Sequence, residues 1–257
     1  MTLPDAKGQI TAAQTAQREN SPAHAGVAPF PAPNQQGQQD WLCQTAGATA
    51  PWGGNAPHKV GSAAALIPWP YPRWIAHRGA GKLAPENTLA AFAAGASHGY
   101  RMFECDAKLS ADGTVFLLHD TTLERTSNGL GEAGKQSWQQ LAGLDAGSWH
   151  SAPFAGEPMP SLEAVALFCL NQGHFLNIEI KPTPGTEAVT GTGVANAAAK
   201  LWHNASTPPL LSSFQVVSLR AAKAAQPQLP RALLLDKLTP DWLATALALE
   251  CVAVVFN

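Results

Sequence analysis

Two apolar runs, Met102 to Leu109 and Val115 to Leu118, are separated by the short turn Ala111-Asp112-Gly113. A parallel crossover takes a dozen or more residues, so the second run must double back antiparallel beside the first. That return ends in His119-Asp120 and sets His119 opposite roughly Cys105, next to Glu104 and Asp106. The i, i+2 spacing of the two acids puts both on one face of their strand. Carboxylates inside an apolar strand are costly unless paired or bound to a metal, so Glu104-x-Asp106 calls for a chemical reason.

The chain around this hairpin alternates strand and helix. Arg73 to His77 reads as a short buried strand running into His77-Arg78-Gly79. Asn87 or Thr88 then caps a helix with Leu89, Phe92 and Ala96 on one face and Gly99 as its stop. After a Gly/Trp-rich insertion over residues 121–160, Ser161 caps a helix that ends near Gly173, and a strand follows from Phe175 to Ile180. The pattern continues as helix 187–204, strand Leu210 to Phe214, helix to Ala225, strand Ala232 to Leu235, a helix opened by Thr239-Pro240, and strand Val252 to Phe256.

This alternation predicts an α/β domain built as a TIM-barrel-like (β/α)8 fold or an open parallel sheet. Six parallel runs can be counted without the hairpin return. A closed barrel has eight strands and typically about 250 residues. The expectation is therefore a domain over residues 71–257 that is C-terminally incomplete, holding about six of the eight units, with exposed sheet edges.

Residues 1–70 are rich in Ala, Pro, Gly and Gln and lack apolar periodicity, which predicts a disordered extension in which Trp41, Trp52 and Trp69 are the available anchors. A formal net charge of −2 and no Lys/Arg cluster argue against nucleic acid and anionic membrane partners. No apolar run approaches the roughly 18 residues of a membrane helix, and the N-terminus lacks a secretory pattern. Cys43, Cys105, Cys169 and Cys251 are scattered singly, so they read as reduced thiols in a cytoplasmic protein.

Polar groups cluster at four strand ends: His77-Arg78, Glu104 with Asp106, His119-Asp120, and Glu179 with Lys181. In barrels of this kind chemistry sits at the carboxyl ends of strands. The runs HRGAGKLAPENTLAAF, FECDAKLSADGTVFLLHDTTLERTSNGLG, GEPMPSLEAV and LNIEIKP, with SSF at 212–214 and LLLD at 233–236, closely resemble the glycerophosphodiester phosphodiesterase family in order and spacing. The resemblance covers residues 73 to 257.

It implies His77 and His119 as the general acid/base pair, and Glu104, Asp106 and Glu179 as ligands of a divalent cation, Mg²⁺ or Ca²⁺. It also implies that Arg78 and Lys181 contact the phosphodiester, and that the substrate is a small glycerophosphodiester cleaved to sn-glycerol 3-phosphate and an alcohol. The chemistry is consistent: carboxylates are hard oxygen ligands, and histidine can serve as acid or base near neutral pH. Which histidine acts first stays open, as does whether water or a substrate hydroxyl attacks.

Other readings stand beside this one. The chain could be a catalytically impaired product lacking the last two strands, a binding or scaffolding protein, or a related phospholipase-type phosphodiesterase. A zinc amidohydrolase fits poorly because such a barrel usually opens with an H-x-H pair after the first strand, whereas here Arg78 follows His77. Pro85, Glu86 and Asn87 read as loop and cap residues, with a supporting contact at the mouth as the alternative for Glu86, and Asp120 reads as either a histidine orienter or a hairpin cap. Trp138 and Trp149 are expected to pack within the insertion, and Cys105 to point away from its acidic neighbours.

Overall fold

A computed structural model describes residues 69–256. The extension expected over residues 1–70, with Cys43, Trp41 and Trp52, lies outside them apart from Trp69 and Pro70. Helix α1 (Leu89–Ser97) precedes strand β1 (Met102–Leu109) and the short return strand β2 (Val115–Leu117). Next come α2 (Trp138–Ala142) inside the insertion, then α3 (Leu162–Gln172) and β3 (Phe175–Ile180). The pairs α4 (Glu187–Leu201) with β4 (Leu210–Ser213), α5 (Val216–Ala225) with β5 (Arg231–Leu235), and α6 (Trp242–Ala248) with β6 (Ala253–Phe256) complete the series.

The six strands form one sheet in the order β2-β1-β3-β4-β5-β6, parallel except for the β1–β2 hairpin. Among the described residues β6 pairs with β5 alone. Successive side chains of β1 face opposite ways. Phe103, Cys105 and Ala107 join the large apolar cluster with Phe92, Val165, Cys169 and Ala195 from the helices. Met102, on the other face, packs with Tyr71, Leu210 and Ala232 to plug the base of the sheet's inner side. Burial pushes the Tyr71 hydroxyl up to about 12 while it donates to the Pro208 carbonyl oxygen at 3.0 Å.

The expected first strand, Arg73 to His77, is reduced to one bridge between Ala76 and Phe103. Ala76 donates to the Met102 oxygen and accepts from the Glu104 N–H, both at 2.9 Å, and the chain then turns away at Arg78, whose φ is +52°. The same edge of β1 is taken further along by β2 from Ala107 onward. The available edge is thus shared between two segments, and neither can run long.

Thr88 is the cap of α1, accepting the Ala91 N–H; Asn87 is not. Close packing of α1 on the loop before it requires two glycines. A Cβ on Gly79, where φ is +94°, would lie 2.8 Å from the Ala91 Cβ, and one on Gly95 would lie 2.3 Å from the Gly79 oxygen.

Candidate active site

Alternation along β1 places Glu104, Asp106 and Lys108 on the inner face, and along β3 it places Asn177 and Glu179 there, with Lys181 just past the strand end. The parallel register sets Asp106 beside Glu179 and Glu104 beside Asn177. One oxygen from each of Glu104, Asp106 and Glu179 lies within 4.8 Å of the others, and all three residues are buried. Cys105, facing the opposite way, is fully buried, and burial pushes its thiol well up.

The hairpin holds His119 where the turn argument put it. Ala107 pairs with Leu117, and the Leu118 N–H donates to the Asp106 oxygen at 3.0 Å, so His119 follows alongside Cys105. His77 reaches Glu104 from the other side, with Nε2 3.8 Å from Oε2. His77, His119, Arg78 and Lys181 all line one cavity of about 690 Å³, with Glu104 and Glu179 in its wall. Every residue assigned a role from the sequence is therefore gathered at one mouth.

Cationic groups brace the carboxylates. The Arg78 N–H donates to Glu104 Oε2 at 2.9 Å, and its Nε faces Asp106 Oδ2 at 3.3 Å. Lys181 Nζ donates to Glu179 Oε1 at 2.7 Å and stands 3.7 Å from Asp106 Oδ1. Even so, Glu104 Oε1 and Asp106 Oδ1 are buried with no hydrogen-bond partner. Burial, then the charges of Asp106 and Glu179, pushes the Glu104 carboxyl well up. Glu179 is raised by burial and Asp106 against the pull of Lys181. Crowded carboxylates with orphaned oxygens are what a hard divalent cation would satisfy, so the donor set fits one.

The sequence does not place Asn87 or Arg125 in the site, whereas it offers Glu86 as a supporting contact there and Asp120 as a histidine orienter. Asn87, read there as a loop residue, has φ +59° and sends its side chain to Asp106. Arg125 links two loops: it donates to both oxygens of Asp120 and to both oxygens of Glu86, which in turn accepts from Arg78 Nη1 at 2.7 Å. Asp120 Oδ1 lies 2.7 Å from His119 Nδ1, so it orients that ring, and Nε2 is the nitrogen left for the cavity.

Hydrogen bonds from Arg125 and His119 hold the Asp120 carboxyl well below the usual carboxylate range, against the opposing effect of burial. Burial works to raise Glu86, but Arg125 and Arg78 outweigh it and hold it low. Burial, and then Arg78, pushes the His77 imidazole down. Lys108 is buried, donates to the Lys181 oxygen at 3.1 Å, and is pushed down by burial to about 8. Its place two residues past Asp106 on a strand was the signal that could have found it. Neither Trp138 nor Trp149 borders the cavity: the first stacks near Phe116 and the second donates to the Ala146 oxygen.

A parallel α/β sheet thus gathers three acids, two histidines and two cations at its strand ends. The profile of the glycerophosphoryl diester phosphodiesterase family matches residues 77–256, and the chain belongs to that family. A glycerophosphodiester phosphodiesterase of Caldanaerobacter subterraneus is 36% identical over 160 residues, which is 62% of this chain and 65% of that protein. The Bacillus subtilis protein YhdW is 35% identical over 162 residues, 62% of this chain and 64% of its own length. The chain thus spans somewhat less than two thirds of these relatives.

An Oleispira antarctica phosphodiesterase, solved in complex with the product sn-glycerol-3-phosphate, superposes with a TM-score of 0.67 at 32% identity, covering 72% of this chain and 75% of that one. A glycerophosphodiester phosphodiesterase from Agrobacterium tumefaciens gives a TM-score of 0.59 at 29% identity, over 71% of this chain and 74% of the other. The TIM-barrel-like fold class expected from the sequence holds. No helix among the described residues is long and apolar enough to cross a membrane.

Proposed function

We propose that this chain hydrolyses small glycerophosphodiesters to sn-glycerol 3-phosphate and an alcohol. The observation that carries the reading is the set of three buried carboxylates, two with orphaned oxygens, in a cavity that also presents His77 and His119. Glu104, Asp106 and Glu179 hold a divalent cation, Mg²⁺ or Ca²⁺. When bound, such an ion polarises phosphoryl oxygens and offsets developing negative charge.

The remaining chemistry falls to side chains of the chain itself. Arg78 and Lys181 bind and orient the anionic phosphodiester from two sides. Burial and Arg78 favour the neutral, proton-accepting form of His77. His119, oriented by Asp120, presents Nε2 to the cavity. Two imidazoles on one cavity supply an acceptor for the attacking hydroxyl proton and a donor for the departing alkoxide oxygen. The product bound by the Oleispira antarctica relative supports the glycerol phosphate half of the substrate. A cytoplasmic setting suits the free thiols Cys105, Cys169 and Cys251.

The test is release of sn-glycerol 3-phosphate from glycerophosphocholine. Release should require Mg²⁺ or Ca²⁺, stop with EDTA, and be lost in His77→Ala and His119→Ala. No release above background with either ion overturns the proposal.

A further inference from the structure

Asn177 is the one polar side chain of the β3 inner face to which no role has yet been given. It stands two residues before Glu179 on the same face and directly beside Glu104 in the register, so Asn177 and Glu104 form one tier and Asp106 and Glu179 the next. Neighbouring strands lie about 5 Å apart, so the Asn177 carboxamide emerges within side-chain reach of Glu104. It lines the cavity, is only 9% exposed, and its Oδ1 is buried without a hydrogen-bond partner. Glu104 Oε1, next to it, is orphaned as well.

A buried amide that served only the fold would be bonded to the protein, because burying an unpaired polar atom is costly. Here the amide oxygen has no partner, and the residue lines the same cavity as Glu104 and Glu179. We propose that Asn177 supplies a fourth, neutral oxygen to the cation held by Glu104, Asp106 and Glu179, a role that rests on reading those carboxylates as a cation site. Three carboxylates already exceed the charge of a divalent ion. A further ligand must therefore raise the oxygen count without raising the charge, and a side-chain amide oxygen does so. The larger coordination shell of Ca²⁺, which takes six to eight oxygens, gains more from such a ligand than Mg²⁺, which keeps several waters.

The experiment is thermal melting of the full chain in EDTA and then across Ca²⁺ and Mg²⁺ titrations, a readout independent of turnover. In EDTA, Asn177→Leu should melt no lower than the parent, since it removes an orphaned polar atom. It should then need on the order of tenfold more Ca²⁺ for the same rise in Tm. Asn177→Gln, which keeps a neutral amide oxygen at that position, should recover part of the response. If Asn177→Leu does not fold, Asn177→Ser shortens the side chain out of reach and is read in the same way. A leucine or serine variant that titrates at the parental Ca²⁺ concentration overturns the inference, and so does an equal loss of Tm with and without the ion. A parent chain that responds to neither ion removes the cation reading itself, a result distinct from either of these.

Discussion

Asn87 grips Asp106 at both ends: its amide nitrogen donates to Asp106 Oδ2 at 2.8 Å, and its amide oxygen accepts the Asp106 N–H at 3.0 Å. Both residues are buried. Because the backbone of Asn87 is in the left-handed region, where asparagine is better tolerated than other non-glycine residues, the position selects the residue twice.

Asn87→Leu leaves the buried Asp106 N–H unpaired and Asp106 Oδ2 with only its ion pair to Arg78. It should cost about 2 kcal/mol in urea unfolding. Activity should fall further than stability accounts for, because Asp106 is then free to rotate. Asn87→Gly, which relieves the backbone but keeps neither bond, should lose nearly as much.

Arg125 is 44% exposed at its side chain, so its removal should change Tm little. Its two-sided fork is nonetheless what ties Asp120, and through it His119, to Glu86 and Arg78. Arg125→Gln should lower kcat by about tenfold or more, in keeping with the loss of an orienting partner. Arg125→Lys should not rescue it, since an ammonium cannot serve two carboxylates in fork geometry. Steady-state kinetics with parallel melting curves check both statements.

Asp120 sets a pH dependence with a defined sign. Its folded carboxyl lies below the ordinary value, about 3.9, because Arg125 and His119 bond its ionised form. Its stabilising effect is therefore complete above the unfolded pKa and is lost as pH falls toward the folded one. The difference in urea midpoint between the parent and Asp120→Asn should be constant from pH 8 to about pH 5 and shrink below about pH 4.

Glu104 has the opposite sign. Its folded carboxyl is raised by burial and by Asp106 and Glu179, so the metal-free chain should lose stability as pH rises from the unfolded value, about 4.3, through the folded one. Glu104→Gln should melt higher than the parent in EDTA at pH 8 and show little response to divalent ions. Its activity should fall on the order of a thousandfold, the equivalent of about 4 kcal/mol of transition-state stabilisation.

The parts of this fold legible in the sequence are those set by short-range periodicity. β3 begins and ends at the expected residues, Phe175 and Ile180, and α3 runs from its Ser161 cap to the left-handed Gly173. The turn after Leu109 sufficed to bring His119 to the two acids. What escaped depends on tertiary competition. Arg73 to His77 has the composition of a strand, but the β1 edge it would pair with is shared with β2. Asn87 looks like a cap until its positive φ turns the amide inward. Arg125 sits in an irregular loop with no periodicity to aim it, and only the folded chain shows that Glu86, 39 residues away, lies beside it.

The two-faced character of β1 constrains how the protein can vary. Odd-numbered positions from Phe103 to Ala107 are wedged among helices, while even-numbered positions from Glu104 to Lys108 carry the charges that line the mouth. A single inserted or deleted residue within this strand would exchange the two sets, driving three polar side chains into oil and opening greasy ones to water. A change of length should therefore be borne by the connecting loops and not by these eight residues.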